Sequence, residues 1–359
     1  MVETRLTSML GIKYPIIQAG MAGTVTTAEL VAAVSEAGGL GTLGAGYMRP
    51  DAIRRAIADI RKRTSKPFAV NLLIVRRRLL DNQTIENGKR ILRPMEQQLG
   101  VKELSAAIQE EDYHEKLTVL IEEKVPVVSF AFDIPFVKEM HALKKNGTLV
   151  IGTATNVREA KVLANIGVDA IVGQGSEAGG HRSTFLGSEQ QSLIGTMALI
   201  PQIVAAIPSM PIIAAGGIMD GRGLVAALAL GAAGIQMGTA FLTCTESGTH
   251  PVHKEAVLHS HERSTVVTRA FSGRYARGIE NTFIKQMQGK EQELPPYPIQ
   301  NSLTSPLRSA AAQQGNGDYM ALWAGQASAL AKERTAASLI EKTIVEAKNR
   351  IMELKGFGY

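Results

Sequence analysis

The chain has 359 residues, 45% of them hydrophobic and 20% charged, which is enough apolar surface to exclude an intrinsically disordered chain. Its length suits a barrel of about 250 residues carrying an insertion better than one small domain. The net charge of +6 comes from dispersed basic residues with few interleaved aromatics, so no nucleic-acid partner is expected, and a mild positive field serves an anionic cofactor or substrate equally well.

Residues 1–10, with Glu3 and Arg5, lack the charged-then-apolar layout of a secretory signal, and the single cysteine, Cys244, cannot form an intramolecular disulfide. A cytoplasmic protein is the expectation. The first short apolar run, residues 15–18, is followed by Thr26-Thr27 as a helix start for residues 28–37. A second run at 40–43 leads to Pro50-Asp51 ahead of a helix over 52–63, and the third run spans 68–72. Residues 74–123 are too long for one helix and predict a loop with extra helices on the upper rim; within them Arg76-Arg77-Arg78 reads as solvated loop. Runs at 126–130 and 149–153 follow, then Asn156 as a cap for a helix over 157–166, and a sixth run at 168–172. The seventh run, 211–215, precedes Asp220 and a helix over 221–230; the eighth is 234–237. Residues 225–235 are apolar but far too few to span a bilayer, so no membrane segment is expected.

Almost every run is continuous rather than alternating, as expected of parallel strands buried on both faces, and strand then helix eight times over implies right-handed βαβ units closing into a (β/α)8 TIM barrel. Residues 245–317 break the repeat, with four histidines early and Pro295-Pro296-Tyr297-Pro298 late, and predict a smaller lid domain inserted after the eighth strand. A helical pattern over 319–353 predicts a segment that packs back on the barrel. The expected division is therefore 1–244 barrel, 245–317 lid and 318–359 C-terminal helical segment.

In such a barrel the active site lies at the C-terminal ends of the strands. The residues there are small: Ala19-Gly20-Met21-Ala22-Gly23, Gly44-Ala45-Gly46, Asn71, Gly173-Gln174-Gly175, Gly216-Gly217 and Gly238-Thr239. Glycine lets backbone approach a flat ligand closely, so this rim predicts a large planar cofactor over the mouth. Gly216-Gly217 after the seventh strand and Gln236-Met237-Gly238-Thr239 at the eighth occupy the two loops that usually hold a phosphate in this fold, which favours a phosphate-bearing cofactor over a metal. The sharpest feature is Gln174-Gly175-Ser176-Glu177-Ala178-Gly179-Gly180-His181-Arg182-Ser183: a histidine behind two glycines, just past a strand end, sits on the catalytic face with a pKa close to working pH. Glu177 reads as a rim carboxylate and Cys244 as a buried, inert thiol; His250, His253, His259 and His261 lack metal-ligand spacing, so no metal site is expected.

Taken in order, Tyr14 to Met21, Gly152 to Thr155, Asp169 to Val172 leading into Glu177 to Arg182, Gln236 to Leu242 and Ala321 to Gln326 resemble the nitronate monooxygenases, formerly 2-nitropropane dioxygenases, over nearly the whole chain. The resemblance implies noncovalent FMN, with its phosphate at Gly216, Gly217 and Gln236 to Thr239. Asn71, Gln174, Gly179 and Gly180 would lie against the flavin, and the loop Ala19, Gly20, Met21, Ala22 beneath its ring. It also implies His181 as the active-site histidine, and an alkyl nitronate and O2 as small-molecule partners, converted to a carbonyl compound and nitrite without NAD(P)H. Ser183 departs from the glycine that relatives commonly carry after His-Arg. Three alternatives share the barrel: an FMN-dependent enoyl-acyl-carrier-protein reductase using NAD(P)H, with a similar Gly-Gly-His loop, a flavin-binding protein without turnover, and a barrel of the nucleotide dehydrogenase type, whose chemistry uses a loop cysteine where Cys244 sits at a strand end. Whether His181 acts as a base or as an anion-binding imidazolium stays open, and so does a homodimer.

Overall fold

The structure is a computed structural model that describes residues 3–75, 82–104 and 113–355; the Arg76-Arg77-Arg78 run lies outside these residues. Eight parallel strands form one sheet: β1 (Ile16–Gln18), β2 (Gly41–Gly44), β3 (Phe68–Leu73), β4 (Val127–Ala131), β5 (Leu149–Ala154), β6 (Ala170–Gln174), then, beyond the two-residue strand β7 (Gly180–His181), β8 (Ile212–Ala215) and β9 (Gly234–Met237). The order is β1-β9-β8-β6-β5-β4-β3-β2, and the ring closes where the Gln18 amide donates to the Leu40 carbonyl at 3.0 Å and the Leu40 amide to Ile16 at 2.9 Å. This is the (β/α)8 barrel, with each strand within two residues of its apolar run.

Local chemistry sets the helices between them. Thr27 caps the helix Ala28–Glu36 by accepting from the Leu30 amide, Asn156 caps Val157–Asn165 through Glu159, and Asp220 caps Gly221–Ala229 through Arg222 and Gly223. Pro50 occupies the first position of Pro50–Arg63, where its missing N–H costs nothing. Both faces of the strands are covered. The inner residues Ile17, Ala69, Val127, Ile151 and Ile213 pack with Leu6 and Leu10 of a short helix, Arg5–Leu10, which plugs the bottom of the barrel. The larger outer cluster joins strands to helices, with Leu30, Ile53, Leu120, Leu163, Ile200 and Leu224 among its members.

A second apolar cluster lies beyond the rim. Leu92, Met95 and Leu99 from the helix Asn82–Leu99 meet Phe271, Phe283, Leu303 and Leu307, so the long stretch after β3 shares a core with the segment after β9. In that segment β10 (Thr265–Thr268) and β11 (Ala276–Ile279) pair antiparallel, and β11 pairs in turn with β7. The expected helical pattern from residue 319 is realised only as Ala336–Lys355, which packs on the helices Gly221–Ala229 and Ala28–Glu36. Residues before it take short 3-10 turns at Gly317–Tyr319 and Ser328–Leu330, because bridges from Trp323 to Gly278 and from Arg334 to Cys244 hold that stretch extended along the insert and the barrel.

Candidate active site

Strand register brings the predicted rim residues to one level: Gln18 lies beside Met237, Gln236 beside Ala215, Ala215 beside Gln174, and Asn71 beside Gly44. The loop holding Ala19, Gly20, Met21 and Ala22 is fixed over this mouth by the Ala19 amide, which donates to Met237 at 2.9 Å, and by the Thr26 hydroxyl, which donates to the Met21 carbonyl at 3.0 Å. A Cβ on Gly20 would lie 2.6 Å from the Cβ of Asn71, whose amide nitrogen donates to the Ser129 hydroxyl at 3.0 Å. Met237 is 1% exposed, so only its backbone is available to a ligand, and the Thr239 hydroxyl accepts from the Gly325 amide at 2.9 Å.

The corner expected to hold a phosphate opens on a cavity of about 370 Å3 lined by Glu177, Thr196, Gly216, Gly217, Gln326 and Ala327. Gly216 has φ +113° with the Ala178 amide and the Thr196 hydroxyl 3.0 Å from where a Cβ would lie, so a side chain there is strained and crowded. A Cβ at Gly238, in contrast, would lie at ordinary van der Waals distance, 3.7 Å, from the Cβ of Ala19 and the Sδ of Met21. Bare backbone at Gly216-Gly217 beside an open cavity fits a flat phosphate-bearing group. Glu177 carries the one unfavourable charge, but its carboxylate is occupied by the Thr196 amide at 2.9 Å and hydroxyl at 2.8 Å, with the charges of Arg182 and Arg277 acting on it.

His181 is held from two sides. Gln174 donates to its carbonyl at 3.0 Å and accepts from the Ser183 amide at 2.9 Å, while β11 pairs Ala276 with His181 and Arg277 with Gly180. Beneath the loop the buried Arg182 donates to the carbonyls of Gly175, Gln174 and Ser192 at 2.6, 3.0 and 2.7 Å. Gly179 admits the chain of Ala324 and Gly325 so closely that a Cβ would sit 2.5 Å from the Gly325 nitrogen. The imidazole stands among Phe132, Tyr297 and Trp323, with ring centres 5.6, 5.9 and 5.3 Å away. Its Nε2 is closed off from solvent and has no hydrogen-bond partner among the described residues. Burial, then the charges of Arg274 and Arg308, push its pKa down to about 3, so the ring is neutral at neutral pH.

Sequence reasoning missed the wall opposite the barrel. Phe132 follows β4 and obeys the same strand-end rule as the glycines, yet an apolar residue gave no signal; its φ of +78° is a strained value for a side chain of that size, costing about 1–3 kcal/mol. Tyr297 lies in the proline run that marked the insert, and Arg308 is an ordinary arginine on the helix Ile299–Gln313 until the fold brings its charge to bear on His181. Cys244 is buried, and burial pushes its thiol up to about 12. Among the described residues no group of histidine, cysteine and carboxylate side chains could hold a metal ion, and no helix is long and apolar enough to cross a membrane. His253 instead bonds the Trp323 carbonyl through Nε2 at 3.0 Å.

Comparison with known proteins finds relatives over nearly the whole chain. A nitronate monooxygenase family model matches residues 3–346. The probable nitronate monooxygenase of Staphylococcus saprophyticus is 46% identical over 354 residues, covering 98% of this chain and 99% of that one. Among solved structures, nitroalkane oxidase from Streptomyces ansochromogenes superposes with a TM-score of 0.91 at 39% identity, over 97% of this chain and 99% of that one. FabK from Thermotoga maritima superposes with a TM-score of 0.80 at 35% identity, over 99% of this chain and 100% of that one.

Proposed function

The chain belongs to the nitronate monooxygenase family, a family of oxidoreductases, and from that premise we propose that it binds FMN and oxidises alkyl nitronates with O2 to carbonyl compounds and nitrite, without NAD(P)H. The observation that carries this reading is His181. An unpartnered, solvent-shielded Nε2 on the rim, walled by Phe132, Tyr297 and Trp323, suits a small organic substrate with one polar end. Gly216, Gly217 and the Gln236 to Thr239 segment would hold the cofactor's phosphate; Ala19 to Ala22, Asn71, Gln174, Gly179 and Gly180 would border its ring. When bound, FMN supplies the electron acceptor for the substrate carbanion and the route of those electrons to O2.

His181 acts as a neutral base. With a preformed nitronate no proton need move, and the ring serves only to position the substrate. With a neutral nitroalkane, Nε2 takes the α-proton, and the carbanion's charge is held on the nitro oxygens. Gln174, Arg182 and β11 keep the imidazole aimed, since each fixes the backbone on one side of it. Phe132, Tyr297 and Trp323 exclude water from that end of the site. The segment 245–317 acts as a lid over the mouth, and its aromatic side chains select small substrates.

Anaerobic mixing of the purified, FMN-loaded protein with propane-2-nitronate tests the proposal: the flavin absorbance should bleach without a nicotinamide, and admission of air should release nitrite. Persistent flavin colour, together with rapid NADH oxidation in the presence of an enoyl thioester, would replace this reading with the enoyl-acyl-carrier-protein reductase, a rival kept alive by the 35% identity to FabK.

A further inference from the structure

A second cation, Arg308, acts electrostatically on the imidazole of His181, and Tyr297, whose ring centre lies 5.9 Å from that imidazole, acts in turn on Arg308. Arg308 projects from the helix Ile299–Gln313; one of its terminal nitrogens donates to the carbonyl and the side-chain oxygen of Asn301 at 2.8 and 3.0 Å, while its Nε is buried and without a partner. Among the described residues no carboxylate forms an ion pair with it. Arg274, the other cation acting on His181, differs: it lies 3.8 Å from Glu189, donates to the carbonyls of Arg182 and Thr184, and stacks on Phe132 at 4.3 Å, so protein groups already answer its charge. The groups that act on Arg308 are Tyr47 from the loop after β2, Tyr297 from the insert and His181 itself. Arg308 is half-buried with its Nε closed off from water, and a guanidinium partly taken out of water without a counter-ion becomes more favourable when an anionic ligand supplies the missing charge.

We propose that Arg308 is the anion-recognition residue of this site, its guanidinium holding the negatively charged oxygens of the substrate beside His181. The inference rests on the nitronate reading above and gives its positive charge an owner. A nitronate and a carboxylate present the same planar pair of oxygens, which a guanidinium meets with parallel donors; a lysine ammonium matches the charge but not the fork. Arg308 stays charged through the whole working range, so recognition of the anion does not require protonated His181.

Isobutyrate, the redox-inert carboxylate counterpart of propane-2-nitronate, provides the probe, and Trp323 the signal: it is the only tryptophan of the chain and its ring centre lies 5.3 Å from that of His181. Titrating the FMN-loaded protein with isobutyrate should change Trp323 emission and the flavin spectrum. Arg308→Met should weaken that binding by about 10-fold or more, the range of a hydrogen bond to a charged group, and Arg308→Lys by less, while neutral isobutyramide binds all three proteins alike. Isobutyrate affinity should also stay flat from about pH 6 to 9, below the tyrosine range. Equal isobutyrate affinity in the Arg308→Met and unsubstituted proteins overturns the proposal, and so does a tenfold fall per pH unit above neutrality, which would give the charge to imidazolium. If Arg308→Lys alone folds, its affinity falling below that of the unsubstituted protein with isobutyramide unchanged supports the proposal, and unchanged affinity overturns it. Loss of isobutyrate binding in Arg308→Met by a protein that fails to oxidise any nitronate would uphold the anion site while the functional reading falls.

Discussion

The neutral state of His181 has a consequence for stability that does not depend on turnover. In the unfolded chain its pKa is 6.5, whereas in the fold burial and the facing arginines hold it down to about 3. A depressed folded value means that the stability contributed by the neutral ring is fully present above pH 6.5, declines as pH falls, and has been lost by about pH 3. At pH 5 the unfolded state is about 1.5 pH units below its titration point and the folded state still neutral, so the loss from pH 8 is about 2 kcal/mol at 1.36 kcal/mol per unit. That figure hardly changes for any folded value below about 4. His253, pushed down to about 4 chiefly by burial, adds a loss of similar size and sign. Urea unfolding of the unsubstituted protein and of His181→Asn, both at saturating FMN and at pH 8, 7, 6 and 5, separates the two histidines, since every other titrating group cancels in the difference. The gap between the two proteins should shift by about 2 kcal/mol in favour of the Asn variant between pH 8 and pH 5. Parallel curves would mean that His181 titrates normally in the fold and would overturn its depression by burial and the two arginines.

The same His181→Asn variant should retain FMN while turnover of neutral nitroalkanes falls by about 100-fold or more, with a milder loss for preformed nitronates; rates unchanged from those of the unsubstituted protein with both substrates would remove His181 from the mechanism. Gly238→Val should lower FMN occupancy with a smaller change in the melting temperature of the FMN-free protein than the same change at Gly216, because its φ of −107° suits any residue and a Cβ there would meet only Ala19 and Met21, both at 3.7 Å. Gly216→Val should lower both, since its φ of +113° adds about 1–3 kcal/mol of strain; thermal melts with and without FMN distinguish the two glycines. Acid denaturation should release FMN rather than FAD, as read by chromatography of the supernatant. Cys244 should resist a thiol reagent in the native protein and react only on unfolding, and fast native labelling would contradict its burial.

The sequence by itself determined the barrel and which residues lie at its mouth in the candidate site. Continuous apolar runs such as Ile212–Ala215 can be satisfied only where both strand faces are covered, and caps such as Asn156 and Asp220 act within one turn, so both are local properties legible in the chain. The glycines at the strand ends and His181 were legible for the same reason: in a barrel, position along a strand fixes position at the mouth. Tertiary structure alone decided the wall opposite that mouth. Phe132 carried no signal in the chain, Tyr297 and Trp323 stood only as parts of a proline run and a family motif, and the three meet around His181 because the segment after β9 pairs β11 with the His181 strand and shares a core with Asn82–Leu99. The protonation state of His181 belongs to this second class, since an isolated imidazole titrates near 6.5, and only burial beside Arg274 and Arg308, groups the chain supplies from 93 and 127 residues away, makes its charged form too unfavourable to persist at neutral pH.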